Sequence, residues 1–82
     1  LMARKATSGN FAVCLSSVGY EDLETRKVYR VLSDAKAVEV GCLRVIDESG
    51  EDYLYPADRF IVLDLPEAAR ERLLLVLAAD AA

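Results

Sequence analysis

Histidine and tryptophan are both absent from these 82 residues. Without histidine the chain lacks the commonest general base and the commonest neutral metal ligand. Cysteine occurs only at Cys14 and Cys42. A small secreted scaffold held by bridges usually carries four or more, and two thiols alone do not fill a zinc site within one chain. Each lies in an apolar run, Val13-Cys14-Leu15 and Gly41-Cys42-Leu43. They read as two reduced, buried thiols acting as small hydrophobes, with a bridge between neighbouring strands as the alternative. Basic residues are in the minority, 10 against 14 acidic, and the net charge of −4 argues against a surface built for a phosphate backbone. Long apolar runs are missing too. The longest, from Leu73 to Ala79, falls far short of the ~20 residues that span a bilayer. Arg4 and Lys5 have no apolar stretch behind them of the kind a signal peptide needs. No membrane is expected as a partner, and the cytoplasm is the expected compartment.

What is present is a globular composition, 54% apolar and 29% charged, in a chain with room for one core. A chain of this length buries only about 60–65% of the surface its unfolded form exposes, close to the lower limit for folding alone. Residues 1–10 show no periodicity and predict a mobile tail. From Phe11 the pattern has period two: Phe11, Val13 and Leu15 point one way, Ala12, Cys14 and Ser16 the other. A polar loop over 19–25 follows, in which Tyr20 and Leu23 either pin the loop to the core or form a contact surface. A second strand over 26–32 sets Val28 and Leu32 against Tyr29 and Val31. Residues 33–39 predict a helical turn capped by Ser33 or Asp34. A strand over 42–47 leads to a hairpin turned at Gly50, and the chain returns antiparallel over 52–55. Pro56 cannot donate to a ladder, so Pro56-Ala57-Asp58 predicts a single 3₁₀ turn before a fifth strand over 60–63.

Five short strands with local links predict a mainly β domain over 11–65, a small barrel or a strongly bent sheet. Pro66 then opens a helix over 66–79, with Glu67 and Glu71 suited to its N-terminal dipole. Ala69, Leu73, Val76 and Leu77 fall on one stripe; Leu74 and Leu75 lie off it. One face of this helix can cover the sheet, and the surplus apolar residues need another cover. Leu73, Leu74, Val76 and Leu77 are therefore the expected helix contact, on the domain itself or on a second subunit, and a homo-oligomer is expected.

No constellation points to catalysis. The run Asp47-Glu48-Ser49-Gly50-Glu51-Asp52 offers four carboxylates to a hard cation, but it lacks the spacing of a calcium loop. It reads instead as a solvated hairpin tip whose charges discourage edge pairing. Glu21 and Asp22 have no apolar pocket to raise a carboxyl toward neutrality, and Ser16, Ser17 and Ser33 have no base to activate them. No phosphate-cradling glycine motif occurs. The chain is expected to be no enzyme and to carry no cofactor and no metal. Arg30 and Arg44, with Lys27 and Tyr29, form at most a modest nucleic-acid platform; ordinary outward-facing charges fit the acidic balance better.

The aromatic residues carry more. The run Tyr53-Leu54-Tyr55-Pro56-Ala57-Asp58-Arg59-Phe60-Ile61 resembles the closing segment of the Src-homology-3-like family: strand, proline-led turn, aromatic, last strand. The order of five strands, the long first loop with its aromatic, and the single short hairpin are similar as well, over about residues 10–64. The resemblance implies a five-stranded antiparallel barrel of that type, here followed by a C-terminal helix. It also implies a shallow partner groove between Tyr20, Tyr55, Pro56 and Phe60, the alternative being that these aromatics plug the ends of the barrel. The chain further resembles small stand-alone bacterial proteins, which implies a bacterial source. The functional expectation is a non-catalytic domain that binds a protein partner or itself. A nucleic-acid-binding small barrel is the alternative, supported by fold analogy alone.

Overall fold

The structure, a computed structural model, describes the backbone of residues 10–81 and the side chains of residues 10–77. The tail expected at 1–10 thus lies outside the described residues, except for Asn10, which opens the first strand. Five strands form one antiparallel sheet: β1 (Asn10–Cys14), β2 (Val28–Leu32), β3 (Cys42–Ile46), β4 (Asp52–Pro56) and β5 (Phe60–Leu63). Their order is β4-β3-β2-β1-β5. β4 and β5 are therefore the two edges, so the sheet is not closed, where the strand pattern had suggested a barrel. A 3₁₀ turn over Ala57–Arg59 joins these edges, and two helices complete the chain, α1 (Ala35–Glu39) and α2 (Glu67–Ala81).

Turn chemistry accounts for most boundaries. Asp34 has extended backbone and its carboxylate accepts from the Ala37 amide at 3.1 Å, the bond of an N-cap, so α1 starts where its capping residue stands. Gly50 takes φ of +87° in the β3–β4 hairpin, with its amide donating to the Asp47 carbonyl at 3.0 Å. Pro56 ends β4, and the following Ala57 amide donates to the Gly41 carbonyl at 2.9 Å, tying the turn to the start of β3. The helix α2 begins at Glu67, one residue beyond Pro66, whose carbonyl accepts from the Arg70 amide.

Register divides the apolar residues between two faces, because directly paired residues point the same way. The pairs Ala12↔Tyr29, Val31↔Val45, Cys14↔Phe60 and Leu43↔Tyr55 place one set on one face. With Leu23 from the first loop these residues form the core, Tyr20 and Leu43 packing at its margin. The pairs Phe11↔Arg30, Phe11↔Leu63 and Arg30↔Ile46 define the other face. Phe11 is fully buried there, apart from the main core. Leu74 and Leu77 of α2 share a cleft with Val28, Arg30 and Ile46, so the helix lies on this second face. Cys14 is buried in the core and Cys42 is half-buried on the opposite face, and both thiols are free. No described helix is long and apolar enough to cross a membrane.

The stripe expected on α2 is corrected. Leu73, Leu74 and Leu77 are half-buried, whereas Val76 is 56% exposed and Leu75 is 72% exposed. From Leu73 to Leu77 every position of this helix is apolar, so spacing there does not select one inward row, and docking on the sheet makes the choice.

Candidate functional site

The loop between β1 and β2 folds back on itself and is fastened at both ends. The Ser17 amide donates to the Thr25 hydroxyl at 3.0 Å, and the Tyr20 amide donates to the Ser17 carbonyl at 2.9 Å. Arg26 closes the loop with φ of +72°, its amide donating to the Cys14 carbonyl at 2.7 Å. Few non-glycine residues adopt that left-handed conformation, and here a backbone bond to β1 holds it. Leu23 is driven into the core, while Tyr20 stays half-buried at the loop surface.

Arg59 clamps this loop from the 3₁₀ turn. Its Nη1 donates to the carbonyls of Val18 at 2.7 Å and Ser16 at 3.3 Å. The guanidinium also lies 5.0 Å from the centre of the Tyr20 ring, within cation–π range. Tyr20 in turn meets Tyr55 edge-on with ring centres 5.1 Å apart, and Tyr55 meets Phe60 at 6.2 Å. The structure thus brings Tyr20, Tyr55 and Phe60 together as one cluster, while Pro56, paired with Cys42, stands on the other face of the sheet. Tyr55 and Phe60 are only 7% and 6% exposed, however, so they support the cluster from beneath. The partly accessible members are Tyr20 and Arg59. The expected groove is accordingly a compact patch with a buried aromatic base. Arg59 was missed because its role depends on two loop carbonyls more than forty residues away in sequence.

The acidic hairpin is a second correction. Asp47 is 5% exposed, not a solvated tip residue. Its Oδ2 accepts from the Tyr55 hydroxyl at 2.6 Å, and its Oδ1 accepts from the Ser49 hydroxyl at 2.6 Å and amide at 2.9 Å. Burial pushes this carboxyl upward, but the hydrogen bonds from Ser49 and Tyr55 outweigh it and leave it below its ordinary value. Glu48 Oε2 accepts from the Tyr29 hydroxyl at 2.5 Å and pairs with Lys27 Nζ at 2.7 Å. Lys27, with Tyr29, holds the Glu48 carboxyl below its usual range. Burial raises the pKa of both tyrosine hydroxyls well above the usual tyrosine value, and the carboxylate each donates to adds to the rise. The Tyr29 oxygen also accepts from the Glu24 amide at 2.7 Å, and the Glu48 amide donates to the Asp22 carbonyl at 2.9 Å. Two successive carboxylates thus bind hairpin, sheet and first loop into one unit. All these groups are committed to one another, which suits fixing a structure better than moving protons. Among the described residues no group of three or more Cys, Asp or Glu gathers as a metal site.

The cationic platform fails on orientation. Tyr29 faces the core and is buried, while Arg30 and Arg44 share the opposite face. Arg44 is already paired with Asp34 at 2.7 Å and Asp52 at 2.9 Å.

That opposite face holds a cleft of about 500 Å³ between α2 and the sheet. Val28, Ile46, Leu74 and Leu77 supply its apolar walls, and Lys27, Arg30, Asp47 and Glu48 its charges. Arg30 stands apart from the other three. Its Nε is closed off from solvent and has no hydrogen-bond partner among the described residues.

Comparison with protein-family models, with curated proteins and with solved structures finds no match.

Proposed function

We propose that this chain is a non-catalytic interaction domain of Src-homology-3-like type, a cytoplasmic bacterial protein that self-associates through its C-terminal helix. The strand order, the proline-led turn between the two edge strands and the aromatic cluster behind it support the resemblance. One observation carries the functional reading. α2 half-buries Leu73, Leu74 and Leu77 on its own sheet, yet leaves Leu75 and Val76 exposed on its other side. A helix whose stretch from Leu73 to Leu77 is apolar on every side gains by covering both sides there, and a second copy offers the matching surface. Two helices meeting by their outward rows form an isologous contact, which closes as a dimer.

Light scattering over a range of concentrations tests this. The wild-type chain is expected to form a dimer, and the double variant Leu75→Lys, Val76→Lys to weaken it by about tenfold or more. Tyr20→Ala, on the aromatic patch, is expected to leave the dimer intact. A wild-type chain that stays monomeric at its highest soluble concentration would sink the proposal.

A further inference from the structure

We propose that the cleft beneath α2 is a binding site for a small monocarboxylate carrying a short, unbranched apolar chain, with Arg30 as the group that receives the carboxylate. The inference does not rest on self-association, since it uses the inward row of α2 and not the outward one.

The four charged residues at the cleft differ in how they are satisfied. Glu48 is paired with Lys27 and accepts from Tyr29, and Asp47 accepts from Tyr55 and Ser49. Neither carboxylate turns to Arg30. Arg30 stands on β2, at the centre of the sheet, between Phe11 on one side and Ile46 on the other. A half-buried cation flanked by apolar residues, with one donor already lacking an acceptor, gains from an anion at its remaining nitrogens. The cleft supplies the route and the space, for about 500 Å³ lies within the range of small-ligand sites.

The surroundings restrict the anion. Of the two cations lining the cleft among the described residues, Lys27 pairs with Glu48 and Arg30 makes no ion pair, and Asp47 and Glu48 bring negative charge to the same cleft. A dianion such as phosphate would be repelled there, whereas one carboxylate matches one guanidinium and can bond it through two oxygens. Beside Tyr29 and Gly50, the rest of the wall is Val28, Ile46, Leu74 and Leu77, which takes an apolar chain. In the occupied site the ligand lies between sheet and helix, so it also tightens α2 onto the second face.

Octanoate is a suitable probe, with octanol as the uncharged control. Titration followed by amide chemical shifts is expected to show saturable one-to-one binding of octanoate, with shifts centred on residues 28–30, 46 and 74–77. Octanol and Arg30→Met are each expected to weaken binding at least about tenfold, the loss of a charged hydrogen-bonded pair. Amide exchange in α2 is expected to slow on binding octanoate and not with octanol. Arg30→Met keeps the apolar stem and removes the unpaired charge, so the ligand-free variant is expected to unfold at the same or a higher urea concentration. Equal binding of octanoate and octanol, binding indifferent to Arg30→Met, no saturation, or marked destabilisation by Arg30→Met would each overturn the assignment. None of these outcomes depends on the oligomeric state, which light scattering reads separately.

Discussion

The two faces of this sheet use similar residues to different degrees of closure. On the core face Cys14, Tyr29, Val45, Tyr55 and Phe60 are buried, and the first loop adds Leu23 as a plug. Both tyrosine hydroxyls there find a carboxylate, so the polar atoms brought inside are paired. On the helix face Phe11 is the one strand residue fully buried, and Val13, Val28, Leu32 and Ile46 are half-covered. A loop threaded into the core closes the middle of that face, leaving Tyr53 and Val62 on the edge strands about half exposed. A straight helix laid over a twisted sheet covers its face only along a line, and the space left at its side is the cleft. The first face holds the fold together, while the second retains room for an occupant.

Two phenylalanines on opposite faces give the sharpest way to break that contrast, and the largest expected effect. Phe60→Ala and Phe11→Ala delete the same side chain, from sites 6% and 0% exposed. Each is expected to cost about 3–5 kcal/mol, with Phe60→Ala toward the upper end. The void at Phe60 lies among interlocked rings, whereas neighbours of Phe11 can close toward the loosely covered side. Urea unfolding of both variants checks the order. If Phe11→Ala is the costlier, the helix side is as tightly packed as the core and the contrast fails.

The next effect tests the carboxylate–tyrosine pairing. Tyr55→Phe keeps the ring against Tyr20 and Phe60 but removes the donor to Asp47. A loss of about 1–3 kcal/mol is expected, because a buried carboxylate is left with fewer donors. Tyr53→Phe is a fitting control, since its hydroxyl reaches Glu51 at the surface at 3.2 Å. The same cost for both variants would mean that the buried bond contributes nothing special.

Much of this arrangement is legible in the sequence, and the unequal legibility of the two faces has a physical cause. Strands β2 and β3 alternate, Gly50 and Pro56 demand their turns, and Asp34 is a cap by residue type; each signal is local and each appears in the structure. The aromatic cluster was legible in part, since Tyr20, Tyr55 and Phe60 do meet, whereas Pro56 stands on the other face. The accessibility of the cluster was not, because exposure depends on how far the first loop folds back under the Arg59 clamp. Asp47 was misread for a related reason. An acidic run beside a glycine has the composition of a solvated tip, and only the register Leu43↔Tyr55 puts the Tyr55 hydroxyl within reach of its carboxylate. On α2 the failure is of another kind. The stripe included Val76 and left Leu74 off it, but with leucines in successive positions no rotation about the axis is favoured, and Leu74 is the one half-buried.

The smallest effect lies in the slope of stability against pH. Asp47 and Glu48 have folded values below their ordinary 3.8 and 4.5. Their stabilisation is therefore complete above those ordinary values and is lost as the pH falls through the lowered ones. The tyrosine partners run the other way. Folding raises Tyr29 and Tyr55 above the ordinary 10.0, so their stabilisation is complete below that pH and fades as the pH climbs past it. Urea midpoints measured across the range should thus form a plateau with an acid and an alkaline shoulder. Tyr55→Phe lets Asp47 return toward its ordinary value, so the variant should show a shallower acid shoulder as well as a reduced alkaline one. Because one bond links the two groups, both shoulders must change together. An alkaline shoulder that shrinks while the acid one keeps its full depth would show that Asp47 is held by Ser49 alone, and that the core face owes its closure to packing and not to the paired hydroxyl.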